Sequence, residues 1–189
     1  GARPPLFFGR KTLIENALGK VRLSWIVKTM AKLQTANLES RKMSGLSAVI
    51  LHRALKHVAP GFFIDIGAHH YEHDSVSLLF STLGWTGIHV EPLAQLAQAL
   101  RENRPADKVL EAAVGTKPGM MTLYEVDEGF GITTGSKELA EQHAGSGFKI
   151  KETQVAQRTL ADILDTAAPA EIHWLKIDVE GMEHDVIKS

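Results

Sequence analysis

The amino-acid sequence predicts a parallel α/β sheet preceded by a helical arm. Three observations carry this. From residue 61 to residue 114, short apolar runs alternate with helix-period segments, strand–helix–strand–helix–strand. The first run ends in an acid and two small residues, Asp65-Ile66-Gly67-Ala68. A later apolar run, Ile172–Val179, closes in a similar way on Glu180-Gly181.

The elements follow in order. Residues 1–10 read as an extended lead with a Pro4-Pro5 pair. From Lys11 to Leu33, Leu13, Ile14, Ala17, Leu18, Val21, Trp25 and Met30 fall mostly three or four apart, the helical period. Gln34–Ser44 is polar and reads as a linker. A second helix is expected from Ser44 or Ser47 to Val58, with Leu46, Val49, Ile50, Ala54 and Val58 along one side and Pro60-Gly61 as its stop. Strand one is Gly61–Asp65, and a helix follows at Ser75–Leu83. Gly87–Glu91 is strand two, Leu93–Glu102 the next helix, and Lys108–Val114 strand three.

The alternation then breaks. Met120–Val126 reads as a strand. Residues 127–147 form a glycine-rich insert with a short helix near Ser136–His143, and Phe148–Gln157 alternates apolar and polar as an antiparallel strand. A short helix at Thr159–Ala167 leads to strand four, Ile172–Val179, and a last helix runs to Ser189. Gly129–Gly135 is placed equally well as a lid or as a plain connection.

Composition bounds the function. The 189 residues suit one domain with an appended segment, and 44% hydrophobic content is ample for a core. Cysteine is absent, which removes disulfides, thiolate metal sites and cysteine nucleophiles. No apolar run reaches the roughly 18 residues of a membrane span, and the start lacks a signal-peptide pattern, so a cytoplasmic protein is expected. Residues 1–60 carry 11 Lys/Arg and 2 Asp/Glu, and residues 61–189 carry 10 and 20. The division is therefore a basic N-terminal arm (1–60) and an acidic domain (61–189). Basic residues in the arm alternate with apolar ones, so the arm is expected to lie on its own acidic domain, and no nucleic-acid partner is expected.

The chemistry centres on two strand ends. Asp65 and Glu91 end successive strands, and an acid in Glu91's place accepts hydrogen bonds from ribose hydroxyls in nucleoside sites. The turn lacks G-x-G-x-x-G, which argues against a pyrophosphate cradle and a dehydrogenase. A ligand with adenosine and no phosphate fits better, and S-adenosylmethionine (SAM) is one. His69–His73 spells H-x-x-E-H, a zinc-peptidase pattern, but it lies in a loop where that chemistry needs a helix. His52, His57, His89, His143 and His173 read as structural or surface residues.

Gly61–Pro92, with Asp65–Ala68, Asp74–Val76, Gly84–Gly87 and Val90–Pro92, resembles the cofactor segment of the FkbM family of SAM-dependent methyltransferases. Trp174–Ile187, WLKIDVEGMEHDVI, is similar to that family's second marker. The resemblance covers 61–189 in order. It implies a Rossmann-like sheet of the class I methyltransferase type. By that comparison the sheet is expected to be truncated after strand four, to be completed by further chain, a second copy or another partner. It also implies SAM as cofactor and O-methylation of a hydroxyl on a sugar, glycan or polyketide-like metabolite. Asp65, Gly67 and Ala68 are expected to shape the methionine end of the site, Glu91 to bind ribose, and Ala113 to flank adenine.

Lys176, Asp178 and Glu180 share one strand face, and Glu180, Glu183 and His184 share a face if the following helix begins there. Asp178, Glu180 or His184 is then the candidate base for the departing hydroxyl proton. Asp178 and Glu180 offer a divalent cation two carboxylates, but no metal is assigned. The alternatives are a non-catalytic SAM-binding or interaction module and, more distantly, an NAD-dependent oxidoreductase.

Overall fold

The computed structural model describes Arg22–Leu23, Ile26–Val27, residues 37–126 and residues 132–189, with side chains from residue 45 onward. Strands β1 (Arg22–Leu23) and β2 (Ile26–Val27) precede helix α1 (Asn37–Ala54). Then come β3 (Phe62–Ile66), α2 (Val76–Thr82), β4 (Thr86–Val90), α3 (Ala94–Asn103) and β5 (Lys108–Leu110). The insert region holds β6 (Ala113–Val114), β7 (Gly119–Val126), β8 (Thr133–Thr134), α4 (Lys137–Gly145) and β9 (Ile150–Arg158). Helix α5 (Leu160–Thr166), β10 (Glu171–Ile172), β11 (Trp174–Ile177) and α6 (Glu183–Lys188) complete the order.

The main sheet runs β2-β11-β3-β4-β5, every pair parallel. The period-two pattern of β3 explains its two faces. Ile64 and Ile66 point to one side, where Ile88, Val90, Leu175, Ile177, Leu160, Ile163 and Val186 join them. Phe63 points to the other, against Phe80, Trp85, Trp174 and the buried side of α1. Burial on both faces is why these strands read as continuous apolar runs.

A second sheet, β6-β9-β7-β8, departs from the expected topology. Strand three was expected to run unbroken over Lys108–Val114. Instead the Leu110 carbonyl accepts the amides of both Glu91 and Ala112, the chain turns, and Ala113–Val114 pairs with β9. The antiparallel β7–β9 pair, from Gly119↔Gln157 to Val126↔Ile150, follows the alternation seen in the sequence.

The N-terminal region differs most. Arg22–Leu23 pairs with β10 and Ile26–Val27 with β11, so the helix expected over Lys11–Leu33 is not formed at those residues. An open strand edge offers unpaired backbone groups, and β-branched Ile26 and Val27 suit it. The rest of that segment, the lead 1–10 and residues 127–131 lie outside the described residues. Helix α1 begins at Asn37, inside the segment read as a linker. Its buried side is Ala48 and Leu51, continued by Leu55 just past its end, while Leu46, Val49 and Ile50 are exposed. Periodicity alone favoured the larger residues, but the tight approach to Phe63 and Phe80 selects the stripe that includes Ala48.

Candidate functional site

The strand register builds the site. Asp65 lies opposite Lys176 on β11 and His89 on β4, one pleat beyond the stacked Phe63–Trp174 pair. The result is a buried polar row across three strands on the face where the sequence otherwise places aromatic rings. Asp65 Oδ1 accepts from Lys176 Nζ at 3.1 Å, and Oδ2 accepts from Ser77 Oγ of α2 at 2.8 Å. His89 Nε2 lies 3.0 Å from Asp107 Oδ2, and its Nδ1 is buried without a hydrogen-bond partner, 3.9 Å from Asp65 Oδ2. Asp107 also accepts from the Gly87 amide and Ser81 Oγ.

The turn after β3 is tightly enclosed. Gly67 has φ +73°, and the amides of Gly67 and Ala68 both donate to the Val90 carbonyl. On the other side Asp178 N donates to the Ile66 carbonyl. A Cβ on Gly67 would lie 1.8 Å from the Asp178 carbonyl oxygen, so no other residue fits between the ends of β4 and β11.

Glu91 is 4% exposed, and its two oxygens accept from the His69 and Leu93 amides at 2.8 and 2.9 Å. Burial pushes its carboxyl pKa up, against the lowering effect of those amides. The first loop is thus tied to the second acid. Within it, His70 Nδ1 accepts from the Glu72 and His73 amides, and its ring stacks on Tyr71. The H-x-x-E-H histidines therefore shape the loop. Burial, with His70 and Lys176 nearby, lowers the His69 pKa. Arg104, buried just after α3, donates to the Tyr71 carbonyl.

The second acidic cluster is only partly assembled. Lys176 Nζ pairs with Asp178 Oδ2 at 3.4 Å, as expected for positions sharing a strand face. Glu180 leaves the strand and adopts φ +45°, with Gly181 at +95°, and α6 starts only at Glu183. Glu180, Glu183 and His184 therefore do not share a helix face. Glu183 Oε1 instead accepts the Val179 and Gly181 amides and closes the turn. His184 is exposed on α6. Burial, then repulsion from Asp178 and Glu183, raises the Glu180 pKa. Among the described residues, no group of three or more His, Cys, Asp or Glu is arranged to hold a metal ion.

The insert packs onto this turn. Buried Thr134 donates through Oγ1 to the Glu180 carbonyl at 2.7 Å and accepts from the Ser136 amide. Leu139 of α4 lies against Gly181, and Met182 against Gly135. Of the Gly129–Gly135 segment, Thr133 and Thr134 are strand rather than loop. Ala113 is buried with Leu123 and Val155 in the second sheet, beside Leu93.

A family model described as the methyltransferase FkbM domain matches residues 65–189, from the first acid to the last residue of α6 and beyond. The chain belongs to the FkbM methyltransferase family. FkbM methyltransferases use SAM, and the chain is accordingly a SAM-dependent methyltransferase. Comparison with curated proteins and with solved structures found no match. No helix among the described residues is long and apolar enough to cross a membrane.

Sequence reasoning passed over Asp107, Ser77 and Thr134, and read His89 as structural or surface without a partner. A histidine inside the apolar run Gly87-Ile88-His89-Val90 was the available signal, since a polar residue there must find a buried partner. Glu180 gives one titration test within the FkbM domain. Its raised pKa means the folded state holds the proton more tightly than the unfolded state. The stability contributed is present at acid pH and falls as pH rises from the ordinary carboxyl value of 4.5 through the raised one. Glu180→Gln should match the wild-type melting temperature at low pH and exceed it progressively toward neutrality. An offset independent of pH would contradict the repulsion described.

Proposed function

We propose that the chain O-methylates a hydroxyl of a sugar, glycan or polyketide-like small molecule, with SAM held at the carboxyl ends of β3 and β4. The observation that carries the reading is the pairing of two features at adjacent strand ends. One is a glycine turn with no room for a side chain. The other is Glu180, half-buried and shifted toward the range where a carboxylate takes up a proton. Transfer to a hydroxyl needs the oxygen, methyl carbon and sulfur in line and a base for the released proton. Glu180 is the first candidate base and Asp178 the second. His184 is the third, and its exposure on α6 puts it last. Gly67 and Ala68 line the methionine end, with Asp65 holding them from beneath. Ala113, near Leu93, supports the adenine side. Residues 61–189 act as the catalytic domain, and the basic segment 1–60 adds β2 and the buried side of α1 to it.

Glu91 is proposed to bind ribose. Each carboxylate oxygen retains a lone pair beyond the backbone amide it accepts, which suits a vicinal diol. Glu91→Ala should weaken SAM binding by about 1–3 kcal/mol in a folded protein, as loss of a buried hydrogen-bonded contact requires. Unchanged affinity would remove Glu91 from the ribose site. The reaction is tested by incubating the chain with methyl-labelled SAM and a panel of glycans and hydroxylated metabolites. An O-methyl product that Glu180→Gln fails to form supports the reading. An N-methyl product would overturn it.

A further inference from the structure

We infer that Lys176 is a positioning residue for the methyl-donor turn, and not only the counter-ion of Asp65. It builds on the cofactor placement proposed above. An ammonium has three N–H donors and no acceptor. Here it has three oxygen partners: Asp65 Oδ1 at 3.1 Å, the Gly67 carbonyl at 3.0 Å and Asp178 Oδ2 at 3.4 Å. Two of these contacts are hydrogen bonds and the third is an ion pair, and they reach different parts of the site. One partner anchors the strand, one is the backbone of the turn itself, and one is the carboxylate at the end of β11.

The bond to the Gly67 carbonyl separates the two roles. A counter-ion needs only proximity to Asp65, which Ser77 already holds from the other side. Gly67 sits at φ +73°, a conformation that the unconstrained chain populates beside others. Its amide is fixed by the Val90 carbonyl on β4, and its carbonyl by Lys176 on β11. The peptide on each side of the Gly67 α-carbon is therefore clamped to a different neighbouring strand. Lys176 is 7% exposed, so water does not compete for these bonds. Burial works against its charge, but Asp65 and Asp178 outweigh it, and its pKa is raised.

Two variants divide positioning from charge balance. Asp65→Asn/Lys176→Met removes both buried charges together, which removes the penalty of an unpaired ion. Lys176→Arg keeps the charge but substitutes a planar fork for the tripod. In each folded variant, SAM affinity by calorimetry should fall about tenfold or more, the cost of roughly one charge-assisted hydrogen bond. Without ligand, the Gly67 and Ala68 amides should exchange with solvent faster than in wild type. Wild-type affinity, or unchanged exchange, in either folded variant overturns the inference. Failure of both variants to fold also overturns it, since Lys176 would then serve stability alone. Wild-type protein that binds no SAM strikes the cofactor placement instead, and the exchange measurement still decides the role of Lys176.

Discussion

Gly67→Ala is expected to destroy SAM binding and to destabilise the fold by about 3 kcal/mol or more. The number combines two penalties. A left-handed φ costs a side-chain-bearing residue roughly 1–2 kcal/mol. The added Cβ would also meet a backbone oxygen, Asp178 O, at 1.8 Å, and a backbone atom cannot rotate away as a side chain can. Relief requires β3 and β11 to separate at the point where Asp178 N still bonds the Ile66 carbonyl. Urea denaturation reads the stability and calorimetry the binding. Near-wild-type values for both would show that the turn tolerates a conformation other than the one described. Gly145→Ala is the control, since nothing lies within 4 Å of a Cβ there.

Asp65→Ala is the second large effect. It leaves the Lys176 ammonium buried with only the Gly67 carbonyl and the partly exposed Asp178, and removes the Ser77 acceptor. Breaking one side of a buried pair costs roughly 3–5 kcal/mol. By contrast, Glu141→Ala, which removes an exposed pairing partner of Lys137, should change stability by at most about 0.5 kcal/mol. A difference between the two variants below about 1 kcal/mol would mean that water reaches the Asp65–Lys176 pair, contrary to its burial.

Much of the core was legible because local chemistry and tertiary structure agree there. Phe62–Ile66 and Thr86–Val90 are short apolar runs with turn residues at both ends, and both are strands within a residue or so of expectation. Ser136 and Thr159 precede helices and cap them through their side-chain oxygens. The antiparallel β7–β9 pair followed from alternation. What the sequence concealed was set by partners far along the chain. The switch of Ala113–Val114 into a second sheet depends on a carbonyl shared between Glu91 and Ala112. The strands at Arg22–Leu23 and Ile26–Val27 depend on open edges at β10 and β11, more than 140 residues away, which overrode the helical spacing.

The candidate site was legible in its residues and less so in its roles. Asp65 was expected to shape the methionine end of the site; its carboxylate is 1% exposed and is engaged by Ser77 and Lys176. Through Lys176, which also donates to the Gly67 carbonyl, it is tied to the turn after β3. Glu180 was placed on a helix face with His184, but the left-handed residues Glu180 and Gly181 intervene. Positive φ at a glutamate is not encoded by propensity. Thr134, Leu139 and Glu183 impose it from outside the turn.

Calorimetric titration of the wild-type chain with SAM, and in parallel with NAD, shows whether the ends of β3 and β4 form a methyl-donor site. One micromolar SAM site and no heat from NAD are expected, because the turn enclosed by Val90 and Asp178 has no glycine cradle for a pyrophosphate. NAD binding in place of SAM, or a folded chain that binds neither, would contradict that assignment.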